Sequence, residues 1–206
     1  NDKLTDLMTR VGRYQLVVVC WVFGGFILLG KFFIERWAGI GFSDAYWLIL
    51  AMIAANLAPM VQTVGIEIQR AKNMHRARSI AMLISAVGNI MLTVILAPWL
   101  GYWAPVVGYC ASVALCNGIF MNWYYQFRVG LDMVAYWKRC LPVVFWTAVS
   151  SAVIGIGVTI FPITGWAQFL IWGVAYSMIF ALMMWLFVLG RNERRAIAYV
   201  IRRKGR

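Results

Sequence analysis

The sequence predicts an all-α integral membrane protein, a bundle of six transmembrane helices, and three observations predict it. Of the 206 residues, 63% are hydrophobic and only 13% charged, against about 45–50% and about 25% in ordinary soluble domains. Apolar runs recur at roughly the 20-residue length that crosses a bilayer's hydrocarbon core. The runs are also continuously apolar, whereas the strands of a membrane barrel would alternate in polarity.

Taken in order, the chain begins with Asn1 and the amphipathic lead-in "NDKLTDLMTRVGRY". This stretch, assigned to residues 1–13, lacks a hydrophobic signal region and reads as the continuation of a longer protein. Six spans follow at residues 14–34, 45–66, 79–100, 103–125, 141–161 and 166–189. Between the second and third lies the basic hairpin "IEIQRAKNMHRARS", and before the fifth lies "GLDMVAYWKRCLP". The latter suits a short interfacial segment leading to Pro142 at a helix start. Residues 190–206, "GRNERRAIAYVIRRKGR", form a basic tail with the composition of a surface helix that lies on anionic lipid.

The net charge of +12 is explained by topology, because Lys and Arg flanking membrane spans accumulate on the cytoplasmic side. Lys3, Arg10, Arg13, Arg70, Lys72, Arg76, Arg78, Arg128, Lys138, Arg139 and the basic tail fall on one side of the six spans. Only Lys31 and Arg36 fall on the other. Both termini are therefore expected in the cytoplasm. Basic residues gathered at span ends do not make a nucleic-acid surface, so no nucleic-acid partner is expected. Aromatic residues mark the two interfaces, with Trp37, Tyr46, Trp47, Trp99, Tyr102 and Trp103 outside and Tyr124, Tyr125, Tyr136 and Trp137 inside.

Nothing in the chain argues for catalysis. The acidic residues Asp2, Asp6, Glu35, Asp44, Glu67, Asp132 and Glu193 are mostly isolated, whereas metal-assisted transfer needs them clustered. No phosphate-binding Walker loop, nucleophile elbow or zinc-protease motif occurs. Cys20, Cys110, Cys116 and Cys140 have neither C-x-x-C spacing nor neighbouring histidine, and read as small packing residues. Glu67 and His75 offer a weak case for a proton-handling pair, since histidine titrates near neutral pH. No metal and no cofactor are expected.

Polar residues inside the spans carry more information, because a polar side chain facing lipid is costly. On a 3.6-residue helix, Asn56, Thr63 and Glu67 share one arc of the second span, with Pro59 beside them. Arg78, Ser85 and Asn89 share an arc of the third, and Asn117, Tyr124 and Arg128 one of the fourth. Taken singly, each stripe is accounted for by hydrogen bonds between helices, worth about 0.6 kcal/mol apiece. Together they predict a cationic vestibule open to the cytoplasm. Thr147, Ser151 and Gly155 on the fifth span give a small-residue face for close helix packing.

The order of landmarks from residue 1 to 140 resembles the C-terminal part of the polysaccharide-exporting, oligosaccharide-lipid flippase family. This is the O-antigen type within the multidrug/oligosaccharidyl-lipid/polysaccharide exporter superfamily. The landmarks are the lead-in, then "KFFIERWAGIGFSDAYW", similar to the family's Trp-Leu-Gly junction, and the polar hairpin "IQRAKNMHRAR". Next come "GNIMLTVILAPWLGYWAPVVG" and "NWYYQFRVGLDMVAYWKRCLP", the second similar to the family's paired tyrosines, Gly-hydrophobic-Asp step and aromatic-Lys-Pro re-entry. The chain departs from the pattern at Ala38, at Ala104 and at Pro105.

The resemblance implies that these six helices are one lobe of a two-lobe transporter of about 12–14 helices working by alternating access in the bacterial inner membrane. The implied substrate is an undecaprenyl-pyrophosphate-linked oligosaccharide, flipped without ATP hydrolysis. Implied partners are the bilayer, this lipid-linked sugar, an N-terminal lobe and the polysaccharide polymerase machinery. A pyrophosphate crossing hydrocarbon needs cationic company, best supplied by arginine's fork of donors. Arg78 and Arg128 are the candidates at the cytoplasmic mouth, with Glu67, Asn56, Asn89 and Asn117 bonding sugar or phosphate in the cavity. Lys31 and Arg36 are candidates on the release side. The alternatives are a cation-coupled exporter of small molecules, which would want a buried carboxylate, and a membrane-embedded glycosyltransferase or polymerase, which would want a long outer loop.

Overall fold

Apolar sequence inside a membrane has one economical way to bond its own backbone, and the computed structural model, which describes residues 2–189, is helical throughout with no strand among the described residues. The elements are α1 (Asp2–Trp37), α2 (Asp44–Val61), α3 (Thr63–Ala71), α4 (Arg76–Leu100), α5 (Ala104–Val113), α6 (Met121–Tyr124), α7 (Met133–Ile160) and α8 (Trp166–Met183). Wider π-helical turns follow α5 (Ala114–Phe120), α6 (Tyr125–Val129) and α8 (Met184–Val188). Among the described residues, five helical runs are long and apolar enough to cross a membrane. One of them, Arg76–Val129, doubles back at the Gly101–Trp103 turn, where Gly101 takes a φ of 53°. Its two arms touch where Gly108 lies against Asn89 and Thr93, so the run is a pair of helical arms packed side by side. The basic tail, 190–206, lies outside the described residues.

Helices α1, α7 and α8 pack mutually, and the others extend from α1. Helix α1 packs against α7, α8 and α2; α2 also packs on α5, and α5 on α4. The seam of α1 recurs every four residues, through buried Met8, Leu16 and Cys20, with Gly12 and Gly24 between and beyond them. At Gly12 a Cβ would sit 2.6 Å from the Tyr136 hydroxyl and 2.9 Å from the Val61 carbonyl, so the glycine is what admits that tyrosine. The expected small-residue face of the fifth span packs here too, with Ser151 against Gly24 and Gly155 against Leu28.

Several boundaries differ from the sequence expectation, each for a local reason. The lead-in and first span form one helix of 36 residues, about 54 Å long, because nothing between Asp2 and Trp37 caps or breaks it. The segment before Pro142 and the fifth span are likewise one helix, with Pro142 inside it. Asp132 starts that helix by accepting from the Ala135 N–H at 2.9 Å. Tyr125 and Tyr136, expected at the interface, are fully buried, and Tyr46 is buried with its hydroxyl on the Ile27 carbonyl at 2.8 Å. Trp37, Trp47, Trp99 and Tyr102 are exposed, as belt residues should be.

The second span is interrupted. Pro59 lacks an N–H and cannot bond back along the helix, and three residues on, Gln62 leaves helical geometry at φ −98°, ψ 17°. The break exposes the Val61 carbonyl, which accepts a buried hydrogen bond from the Tyr136 hydroxyl at 2.8 Å. Gln62, itself buried, donates to Asn122 Oδ1 at 3.0 Å, and the Trp137 indole donates to the same oxygen at 2.7 Å. The Asn122 amide nitrogen in turn donates to the carbonyls of Asn117 and Gly118 at 3.1 and 2.7 Å, beside the wide π-helical turn. Four partners satisfy one asparagine and tie α2 and α7 to the helix between them.

Charges segregate by end. Arg139 pairs with Asp6 at 2.7 Å, Lys72 donates to the Val129 carbonyl at 2.7 Å and Arg13 to the Val188 carbonyl at 2.6 Å. The last two place cations on helix C-termini, where the macrodipole favours them. At the opposite end Lys31 pairs with Glu35 at 3.9 Å, Arg36 donates to the Thr164 carbonyl at 3.1 Å and Tyr102 to Asp44 at 2.6 Å.

Two substitutions test the polar knot by thermal melting of the detergent-solubilised protein. Tyr136→Phe keeps the ring but strands the Val61 carbonyl and is expected to cost about 1 kcal/mol. Asn122→Leu removes four bonds at once and should cost about 2 kcal/mol or more. Equal melting temperatures for Asn122→Leu and the wild type would show that the knot does not hold the bundle.

Candidate functional site

Three helices bring polar groups to one cavity of about 300 Å³. Helix α2 contributes Asn56 and Pro59, α4 contributes Arg78, Ser85 and Asn89, and α5 with the turn after it contributes Tyr109, Ser112 and Asn117. Positions 78, 82, 85 and 89 lie on one face of α4, since 3.6 residues per turn carry the same direction through all four. The approach of α4 to α5 is set by Gly108, where a Cβ would lie 2.9 Å from both Asn89 Oδ1 and Thr93 Oγ1.

The polar atoms are held rather than loose. Tyr109 donates its hydroxyl to Asn56 Oδ1 at 3.0 Å, and the Asn56 amide donates to the Met52 carbonyl at 2.8 Å. Thr93 donates to Asn89 Oδ1 at 3.3 Å, which leaves the Asn89 amide nitrogen directed by that bond. Asn117 is buried. Arg78 donates to the Tyr125 hydroxyl at 3.4 Å and has no carboxylate within salt-bridge distance among the described residues. One guanidinium and three amides thus face a common space within an apolar bundle. Such a surface can bond phosphate or hydroxyl oxygens, and it carries positive charge.

Of the residues singled out from sequence, Asn56, Arg78, Asn89 and Asn117 meet in this cavity, and Glu67, Arg128, Lys31 and Arg36 do not line it. Glu67 lies beyond the break in the second span, on α3, exposed and bonded to Arg70 at 2.8 Å. Thr63 is exposed and turns its hydroxyl to the Met60 carbonyl at 2.9 Å. Arg128 is exposed at the end of the second π-helical turn. Each π turn bonds i to i+5 and advances the register by about one residue, which rotates Tyr124 and Arg128 off the Asn117 face. Lys31 and Arg36 sit at the far end of α1 with the partners given above.

Sequence reasoning missed Tyr109 and Ser112, which stand on the cavity wall. It also missed Gln62 and Gln69, both buried. Their seven-residue spacing next to an apolar run was a readable sign of a bundle-facing edge. The four cysteines are free, and the thiols of Cys110 and Cys116 donate to the Ala51 and Ala81 carbonyls at 3.5 and 3.0 Å. No family model, curated protein or solved structure matches the chain.

Proposed function

We propose that the chain is part of a transporter that carries a lipid-linked, phosphate-bearing oligosaccharide across the bacterial cytoplasmic membrane, its basic end in the cytoplasm. The observation that carries this reading is the convergence of Asn56, Arg78, Asn89 and Asn117 on one cavity between apolar helices. A charged, hydrated headgroup cannot cross hydrocarbon bare, and polar residues buried in membrane helices mark pathways for such groups. Amides suit sugar hydroxyls and phosphate oxygens, and Arg78 supplies the charge that a phosphate needs.

The rest of the bundle is compatible with a second lobe. Helix α4 rests mainly on the 101–120 segment, and of its residues only Ala81 is buried. Arg78, Ser85 and Asn89 on its polar face are only half-buried, which leaves the cavity room to be closed further by a second bundle. The cation-coupled exporter wants a buried carboxylate in the pathway, and the cavity wall has none, since Glu67 is exposed and paired with Arg70. A lining of amides, hydroxyls and one guanidinium supports binding and passage over acid–base chemistry.

In a strain that depends on the protein, Arg78→Ala at normal membrane level should leave lipid-linked sugar in the inner leaflet and lower surface polysaccharide about tenfold or more. Asn89→Ala, which removes one neutral partner, should lower it by about threefold. Arg10→Gln, distant from the cavity, serves as the control for charge alone. Normal surface polysaccharide in the Arg78→Ala strain would reject the reading.

A further inference from the structure

A groove of about 580 Å³ runs between the start of α7 and the 118–126 stretch, toward the basic end of the bundle. Gly118, Asn122 and Gln126 line one side of it, and Trp137, Lys138 and Leu141 the other. None of its residues lines the cavity among α2, α4 and α5. We propose that this groove holds the headgroup and the adjoining chain of an anionic phospholipid.

The fold keeps the groove open. Helix α7 packs mainly on α1 and α8, and two side-chain bonds span the space between it and the 118–126 stretch. The Trp137 indole donates to Asn122 Oδ1 at 2.7 Å, and the Met133 N–H donates to Gln126 Oε1 at 2.7 Å. Both walls are thereby fixed before any ligand arrives. At Gly118 an added Cβ would meet nothing within 4 Å, so the space beside it is empty for want of a side chain.

The walls grade from polar to apolar in the direction a phospholipid does. Gln126 and Met133 stand at the shallow end, next to the turn at Gly130. Gly118 and Leu141 lie eight residues further along their helices, about 12 Å deeper. Helix α7 has 28 residues, about 42 Å of length against a hydrocarbon core of about 30 Å, so its first turns reach into the headgroup layer. A groove that starts there and descends about 12 Å passes from headgroups into acyl chains.

Charge selects the occupant. Lys138 is exposed and has no hydrogen-bond or ion-pair partner among the described residues, and no carboxylate lines the groove. Its long stem lets the ammonium reach the headgroup layer. Gln126 spends its amide oxygen on Met133, which leaves the two donors of its amide nitrogen for another acceptor. Ammonium and amide nitrogen only donate, so they fit a group that is rich in acceptors and negative, as a phosphodiester is. Basic pockets between membrane helices suit such headgroups. A helix of another chain laid in the groove would instead leave the Lys138 charge against apolar surface without a partner, which is costly.

Binding is measured apart from transport, so its failure leaves the transport reading untouched. The protein is placed in detergent micelles doped with equal amounts of phosphatidylglycerol, which is anionic, and phosphatidylcholine, which is zwitterionic, and the retained lipids are counted by native mass spectrometry. The wild type should retain phosphatidylglycerol over phosphatidylcholine by about fivefold, the effect of one lysine beside an anionic headgroup. Lys138→Gln should lose that preference. Gly118→Leu fills the empty space and should lower phosphatidylglycerol retention about tenfold, the effect of about two buried methylenes. Arg10→Gln removes the same charge elsewhere at the basic end and should retain the lipid as the wild type does. Because Lys138 is exposed, its replacement reads binding even where Gly118→Leu disturbs folding. Equal retention of the two lipids by the wild type, or undiminished phosphatidylglycerol retention in Lys138→Gln or in a folded Gly118→Leu, would overturn the proposal. A dimer carrying no lipid would overturn it too, by showing that a second copy of the chain covers the groove.

Discussion

A backbone carbonyl freed inside hydrocarbon must find a donor, because no water is there to supply one. That constraint governs the arrangement around Pro59. Proline weakens the second span, the helix breaks at Gln62, and the Val61 carbonyl is released into the middle of the bundle. Tyr136 answers it from α7, and Gly12 on α1 leaves the room for that hydroxyl. Asn122 then collects Gln62 and Trp137 on one oxygen while its nitrogen serves two carbonyls of the adjoining helix. Four helical segments are fixed relative to one another by a defect in one of them.

The break also shapes the surfaces that matter for binding. With α3 freed from the axis of α2, Glu67 leaves the membrane face and pairs with Arg70. Arg78 has no carboxylate within salt-bridge distance among the described residues. Among those residues it is the one cation on the wall of the polar cavity. Other basic residues are used differently, since Lys72 and Arg13 close helix ends and Arg139 holds Asp6. A strongly positive chain therefore uses much of its described charge to close helix ends and pair with carboxylates.

Much of this was legible in the sequence where a single period applied. The apolar runs announced the helices, and Arg78, Ser85 and Asn89 stay on one cavity wall because α4 is an unbroken α-helix through all three. The stripes on the second and fourth spans were legible only in their first members. Past Asn56 the Gln62 break changes the axis, and past Asn117 the π-helical turns change the rotation, so a 3.6-residue projection misplaces Glu67, Tyr124 and Arg128. Tyr125 and Tyr136 read as interface aromatics because their position near span ends says nothing of depth; their burial is decided by partners far along the chain. The Gln62–Asn122 bond joins residues 60 apart, a pairing no local pattern encodes.

The central claim is that the face of α4 bearing Asn89 looks into a wet, polar cavity while its neighbours look into lipid. With the four native cysteines replaced, Asn89→Cys and Ile90→Cys can be compared in membranes by their rate of reaction with a water-soluble thiol reagent. Ile90 is 64% exposed on the bundle surface and lies at the same depth as Asn89. Rapid labelling at position 89, slow labelling at position 90 and protection of 89 by a lipid-linked sugar phosphate are the predicted results. Equal, slow labelling at both positions would contradict the cavity and the transport reading built on it.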